Sequence, residues 1–195
     1  MCAMLALALQ FWGLIQDREA LREGLIRLHV VANSDSREDQ QVKLQVRDAV
    51  LESIREALTD ATEPEAARAY LRENLPKIQQ AANNVLQALG REPDARVSLK
   101  EEVFDRRDYE TFSLPAGIYE SLRVEIGQAE GKNWWCVAFP SLCVPATTES
   151  FAEAAQAAGM DPVLTGTLEG RGEYELRFFL LDWLGKLEGR LFGKK

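Results

Sequence analysis

The pattern of apolar and polar positions changes twice along the first third of the chain. Residues 26–30 alternate between the two classes, with Arg27 and His29 on the polar side, which predicts a strand with one buried face and one polar face. Apolar residues then recur at helical spacing over 37–58, which predicts a long core helix. The polar run between these elements predicts a turn in which Ser36 caps the helix.

Two further helices are predicted before the pattern changes again. Thr62 precedes a Glu-Pro pair, which is typical of a capped helix with proline in its first turn. Pro76 is expected to break or kink this helix, because proline cannot donate the backbone hydrogen bond of a helix interior. The next helix runs to Leu89, and Gly90 is the glycine expected at its C-terminal end.

Period two returns in the second half of the chain and predicts three strands. They are expected over 97–103, around 122–126 and over 133–139, because apolar and polar residues alternate there. The charged segment 104–113 has no regular pattern. Residues 127–131 begin and end with glycine and are expected to form the loop of a hairpin between the last two strands.

The C-terminal part is predicted to contain a helix, a strand and a helix. Thr148 caps a short Ala-rich helix that ends at Gly159. Residues 174–179 are predicted as a last strand, and the leucine spacing from Leu180 onward predicts a C-terminal helix. This order of elements indicates an α+β fold: a mostly antiparallel sheet with helices packed on one face and a long helical crossover after the first strand.

Two interpretations fit residues 1–24. The segment begins with apolar residues, but its apolar run is shorter than the roughly 20 residues that a spanning helix needs. It resembles the apolar region of a signal peptide or anchor, although no Lys or Arg precedes it. Alternatively, it is a first amphipathic helix packed on the domain. Residues 25–195 are predicted to form one α+β domain.

Composition narrows the class of protein. With 195 residues, 46% of them hydrophobic and 28% charged, the chain is long enough for one domain with a core. The net charge of −8 argues against binding nucleic acid, because phosphate recognition needs clustered Lys and Arg. Cys2 stands alone, Cys136 and Cys143 lie close together, and the chain has a single histidine. We therefore predict no metal and no cofactor.

Two blocks of sequence carry a family resemblance. The second contains Leu114-Pro115-Ala116-Gly117 and, further on, Trp134-Trp135-Cys136 with Phe139-Pro140 and Cys143. The first block matches at Arg27, His29, Asn33, Ser34, Asp35, Ser36, Asp39, Gln40, Lys43, Arg47 and Asp48. With these motifs in this order, the chain resembles the stage II sporulation protein R family.

The resemblance implies an exported signalling protein. Members of this family are made in the forespore and act in the space between the forespore and mother-cell membranes. There they trigger a membrane-embedded aspartic protease of the mother cell, which then matures the pro-sigma-E precursor. On this basis we expect a protein activator of a protease, which is not itself an enzyme, with a membrane close to its N-terminal segment.

One polar surface is the predicted partner site. Asp39, Lys43 and Arg47 follow one another at i,i+4 on the predicted helix, and the short turn is expected to bring Arg27 and His29 near them. Charge reversal at Lys43 or Arg47 should then weaken activation at little cost in stability. The alternative is that these side chains pair locally and only fix the turn. The turn residues Asn33 and Asp35 complete the predicted surface.

The Trp-Trp-Cys strand adds a second candidate interface and an alternative function. Trp134 and Trp135 are neighbours in a strand and project to opposite faces, so Trp134 is expected to be exposed as an interface anchor or covered by residues 104–113. Cys136 and Cys143 enclose six residues and are expected to form a disulfide after export. The alternative is a cysteine hydrolase with Cys136 as nucleophile, His29 as base, and Asn33 or Asp35 orienting it.

Overall fold

A computed structural model describes the backbone of residues 2–61, 63–109, 111–140, 153, 155–156, 159–170 and 175–192, with side chains from residue 11 onward except residue 59. Contacts divide the chain into two compact units. Unit 1 consists of Met1–Gly24, Glu101–Tyr119 and Ala146–Lys195, and unit 2 of Leu25–Lys100 and Glu120–Pro145. The predicted division into residues 1–24 and 25–195 stays a prediction.

The described residues alternate between long helices and short strands. In chain order the elements are α1 (Cys2–Gly24), β1 (Ile26–Val31), α2 (Arg37–Asp60), α3 (Pro64–Ala88), β2 (Arg96–Phe104), β3 (Arg107–Asp108), β4 (Ser113–Leu114), β5 (Gly117–Glu125), β6 (Asn133–Phe139), α4 (Pro162–Leu168) and α5 (Glu175–Phe192). The predicted α+β class and the helical crossover after the first strand are confirmed.

The main sheet has the strand order β2-β5-β1-β6. Strand β1 runs parallel to β5 and antiparallel to β6, so that Leu28 lies between Leu122 and Cys136. The predicted hairpin of the last two long strands is therefore wrong, because β1 occupies the place between them. The short loop after β5 passes over the end of β1, and only the tertiary pairing shows this.

Strand β1 is buried on both faces. All six residues are buried, and Arg27 and His29 are exposed by only 0% and 7%. The predicted polar, solvent-facing side of this strand is wrong. A strand with partners at both edges and cover on both faces has no solvent-facing side, and its alternating polar residues lie in the interior instead.

The two helices after β1 follow the sequence pattern with one exception. Ser36 caps α2, because its hydroxyl oxygen accepts a hydrogen bond from the Asp39 N–H at 3.1 Å. Helix α3 continues across Pro76, so the predicted division into two helices is wrong. Its buried face runs from Ala67 to Leu86, and packing of that face outweighs the lost backbone hydrogen bond.

The ends of α3 test two cap predictions. Gly90 has φ +69°, and the N–H of Arg91 donates to the Leu86 carbonyl at 2.9 Å, as in a helix that ends with glycine in the left-handed region. The predicted cap Thr62 lies outside the described residues. The residue directly before the helix, Glu63, makes no side-chain capping hydrogen bond.

The segment 104–113, predicted to be irregular, contributes to a small two-stranded sheet. Strands β3 and β4 pair Arg107 with Leu114, and the rings of Tyr109 and Phe112 stack with centroids 4.6 Å apart. Two-residue strands leave no periodic signal in a sequence, so this ladder was not predictable from the pattern.

Unit 1 is largely helical. The predicted strand over 174–179 is wrong, because α5 already begins at Glu175, while Tyr174 lies outside the described residues. Phe178 and Leu181 are buried on one side of this helix, a spacing that fits a helix better than a strand. Helix α4 was not predicted; Asp161 caps it by accepting from the N–H groups of Val163 and Leu164.

The N-terminal segment is helical throughout its described part. Leu14 and Leu21 of α1 are buried, and seven positions apart they lie on the same side of the helix. No helix in the described part of the chain is long and apolar enough to cross a membrane.

The predicted cap Thr148 lies outside the described residues, and Gly159 has the positive φ of +71° expected of a helix-ending glycine.

Candidate functional site

The turn between β1 and α2 is organised around the Asp39 carboxylate. One carboxylate oxygen accepts hydrogen bonds from the Asn33 amide at 2.9 Å and from the Ser34 hydroxyl at 2.5 Å. The other oxygen accepts from the Arg91 guanidinium at 2.5 Å. We call Asn33, Ser34, Asp39 and Arg91 the Asp39 cluster. It joins the turn to the residue that follows Gly90 at the end of α3.

The Asp39 cluster stabilises the ionised form of its carboxyl group. Hydrogen bonds from Ser34 and Asn33, and then the hydrogen bond and charge of Arg91, lower the pKa of Asp39 from 3.8 to about 2. The Asp39 side chain is only 8% exposed. A buried carboxylate with three side-chain donors is typical of a structural site, because its acceptor oxygens are already used.

The same turn packs against the loop between β5 and β6. The Asn33 side-chain oxygen accepts from the Gln128 N–H at 3.0 Å, and the Asp35 carboxylate accepts from the Lys132 N–H at 2.6 Å. A side-chain carbon placed on Gly131 would lie 2.2 Å from the Ser34 carbonyl oxygen. Glycine is therefore required here by close backbone approach, and Asn33 and Asp35 both contribute to the architecture.

Lys43 also has an internal role. Its ammonium group donates to the Gln40 side-chain oxygen at 2.6 Å and to the Lys132 carbonyl at 2.9 Å. Burial lowers the pKa of Lys43, and the residue is only 5% exposed. The expectation that reversing this charge costs little stability is therefore revised, because a buried acid would face the Lys132 carbonyl.

Arg47 and Trp134 form a partly exposed pair. The Arg47 guanidinium carbon lies 4.3 Å from the centroid of a Trp134 ring, and the guanidinium also pairs with Asp48 at 2.6 Å. Trp134 is 37% exposed, which favours the exposed alternative of the two that the sequence left open for it. It stacks with Arg47, whereas Trp135 lies half-buried on the other face with its ring 5.4 Å from that of His29.

Arg27 and His29 are on the opposite face of the sheet from Arg47 and Trp134. His29 pairs with Trp135 across β1 and β6, and its Nδ1 lies 3.4 Å from the Arg123 guanidinium. Arg27 donates to the Cys136 carbonyl at 3.3 Å. The predicted single polar patch is therefore wrong: its members lie on two faces, because neighbouring strand residues alternate in direction.

The proposed hydrolase arrangement does not assemble. Cys136 pairs with Leu28 and His29 pairs with Trp135, so the Cys136 and His29 side chains project to opposite faces. Asn33 and Asp35 bind the loop after β5 and not His29. Cys143 lies outside the described residues, so the Cys136–Cys143 disulfide stays a prediction. In the described part of the chain, no group of three or more His, Cys, Asp or Glu side chains could hold a metal ion.

Comparison with known proteins identifies the family of this chain. A family model described as Stage II sporulation protein R (spore_II_R) matches residues 22–149. The chain belongs to the stage II sporulation protein R family. It is also similar to the Stage II sporulation protein R of Bacillus subtilis (strain 168), with 33% identity over 180 residues that cover 83% of this chain and 80% of the relative. No solved structure matches it significantly.

The residues that mark this stage II sporulation protein R family member are largely those that build the turn. Sequence reasoning named Asn33, Asp35, Asp39 and Lys43 but missed their partners, Arg91 and Lys132. Arg91 lies 52 positions from Asp39, and Lys132 lies 97 positions from Asp35. The glycines on either side of the loop after β5 were the available signal, since glycine marks close backbone approach.

Proposed function

We propose that this chain is an exported sporulation signalling protein that binds a membrane-embedded aspartic protease and activates it for maturation of pro-sigma-E. Membership of the stage II sporulation protein R family is the observation that carries this proposal. The protein acts without chemical turnover of its own. The separation of Cys136 from His29 on opposite faces of the sheet supports that part of the proposal.

Activation follows from differential affinity. An activator raises the active fraction of its target only if it binds the active arrangement more tightly than the inactive one. We assign the contact to the Arg47–Trp134 pair, because Trp134 is exposed and Arg47 stacks on it. Asp35 is exposed as well, but its carboxylate already accepts from the Lys132 N–H. Arg and Trp are the residue types that most often contribute large binding energies at interfaces. The Asp39 cluster fixes the start of α2, and Lys43 binds the Lys132 carbonyl two residues before Trp134. These contacts hold the pair in position.

Reversing the charge of Arg47 tests this assignment. In a heterologous cell that co-expresses the chain, the protease and the precursor, Arg47→Glu should lower precursor cleavage roughly tenfold, because it removes both the cation and its stacking on Trp134. Arg55→Glu is the matched control, since Arg55 is on the same helix, exposed and ion-paired with Glu52. Precursor cleavage with that variant should equal cleavage with the unmodified chain.

Two outcomes would count against the proposal. Equal cleavage with Arg47→Glu and with the unmodified chain would exclude the Arg47–Trp134 pair as the contact. Absence of cleavage with the unmodified chain, although all three proteins are folded and in the same compartment, would contradict protease activation itself. Lys43→Glu is unsuitable for this test, because Lys43 is buried and the variant would lose stability.

For an exported protein, we expect a disulfide bond between Cys136 and Cys143. In the space between the two membranes thiols can oxidise, and closing so short a loop would contribute roughly 2.5 kcal/mol in the chain-entropy account. Peptide mapping of exported protein by mass spectrometry without reductant should recover the two cysteines in one cross-linked peptide pair. Recovery of both as alkylated thiols from exported protein would show that the bridge is absent.

A further inference from the structure

Helix α5 carries large apolar side chains on its solvent-facing side. Leu176, Phe179, Trp183, Leu187 and Leu191 follow one another at intervals of three or four residues, with exposed fractions of 70%, 61%, 54%, 42% and 64%. We call these five residues the outer stripe. Helical residues at this spacing share one side. A surface helix normally turns such residues toward a core, so the outer stripe is a candidate docking surface.

Contacts on the opposite side fix the rotation of α5. A side-chain carbon placed on Gly185 would lie 1.6 Å from the Ala116 carbonyl oxygen, so the two backbones touch there. The buried Asp182 accepts a hydrogen bond from the Ala116 N–H at 2.9 Å. Arg18 of α1 donates to the Leu181 carbonyl at 3.3 Å. The outer stripe cannot turn inward without breaking these contacts.

The cationic side chains beside the outer stripe are more exposed than the acidic ones. Lys186 and Arg190 are exposed along one edge of it, and the Lys186 ammonium is ion-paired with Asp182 at 2.7 Å. The acidic residues of the same turns face the protein: Asp182 is buried, and Glu188 is ion-paired with α1. Glu175 is exposed at the other end of the helix. Although the whole chain carries a net charge of −8, this edge is a local cationic border.

An apolar stripe with tryptophan and phenylalanine, bordered by lysine and arginine, is the composition of helices that lie in a membrane interface. We propose that the outer stripe docks this protein on the surface of a bilayer that contains anionic phospholipid. Trp183 and its neighbours enter the headgroup region, and Lys186 and Arg190 contact lipid phosphates. Phe11 and Trp12 of α1, exposed by 53% and 61%, are further exposed aromatic side chains of the same unit.

Vesicle sedimentation with the purified full chain tests the proposal. One set of vesicles contains phosphatidylcholine alone, and the other contains equal parts of phosphatidylcholine and phosphatidylglycerol. The unmodified chain should sediment with the second set and much less with the first. Replacing both Phe179 and Trp183 with serine should weaken binding roughly tenfold or more, and Arg190→Glu should weaken it only on the anionic vesicles.

The control variant is Leu89→Ser. Leu89 is 41% exposed at the end of α3 in the other unit, so its replacement should leave sedimentation unchanged. Trp183→Phe keeps the fold and the apolar surface, and it should reduce the quenching of tryptophan fluorescence by brominated lipid. That measurement keeps the test decisive if the double serine variant fails to fold.

Several results would overturn the proposal. They are failure of the unmodified chain to bind anionic vesicles, equal binding of both vesicle types, and unchanged binding of the double serine variant. A last result would come from sedimentation equilibrium. If the unmodified chain is a dimer, the double serine variant is a monomer and neither binds vesicles, the outer stripe is an interface with a second copy of the chain. All these measurements are independent of the protease, so failure here leaves the proposed function standing.

Discussion

Replacing Asp39 with asparagine should lower the free energy of unfolding by about 2–3 kcal/mol at neutral pH. The amide keeps the shape of the carboxylate but removes its charge. It also places an N–H₂ group where donors from Asn33, Ser34 or Arg91 now point. Urea unfolding followed by circular dichroism would measure the change. Asp48→Asn on the same helix is the control, because Asp48 is 62% exposed and its surface ion pair contributes little.

The pH dependence of this difference has a defined sign. The pKa of Asp39 in the folded protein is about 2, below the roughly 3.9 of an unfolded aspartate. The ionised carboxylate therefore contributes its stability in full above about pH 4, and this contribution is lost as the pH falls toward 2. The gap between the unmodified chain and Asp39→Asn should narrow over that window. A gap that stays constant, or widens in acid, would contradict the role assigned to the Asp39 cluster.

Gly185→Ala should destabilise unit 1 by about 3 kcal/mol, although alanine is the better helix former. The added carbon would lie 1.6 Å from the Ala116 carbonyl oxygen. Helix α5 must then move away from that backbone, with loss of the hydrogen bond from the Ala116 N–H to Asp182. Amide hydrogen exchange should report faster opening of α5, and chemical denaturation should report the loss of stability.

The matched control for Gly185 is Gly13, in the interior of α1. Nothing lies within 4 Å of a side-chain carbon placed on Gly13, so Gly13→Ala should raise stability by up to about 1 kcal/mol through helix propensity. The two identical substitutions should therefore have opposite signs. If both stabilise the protein, α5 does not pack on Ala116 as closely as the structure shows, and the fixed direction of the outer stripe loses its support.

The candidate site was only partly predictable. Ser36 was identified as a helix cap because its hydrogen bond is made three positions away, within reach of a sequence rule. Arg91 and Lys132 were missed because their partners lie far apart in the chain, and no periodic pattern records such pairs. Arg27 and His29 were placed on a polar surface because alternation shows which residues share a face but not whether that face is covered.

The amino-acid sequence alone was enough to determine the family, the α+β class and most element types, since these depend on residue order, periodicity and caps that act over a few positions. Only the tertiary structure decided that β1 lies between β5 and β6, which buries Arg27 and separates His29 from Trp134. It also decided which side of α5 faces solvent, because leucine, phenylalanine and tryptophan together surround that helix and the close contact of Gly185 with Ala116 sets its rotation. Both outcomes depend on contacts between distant segments, where packing overrides local preference.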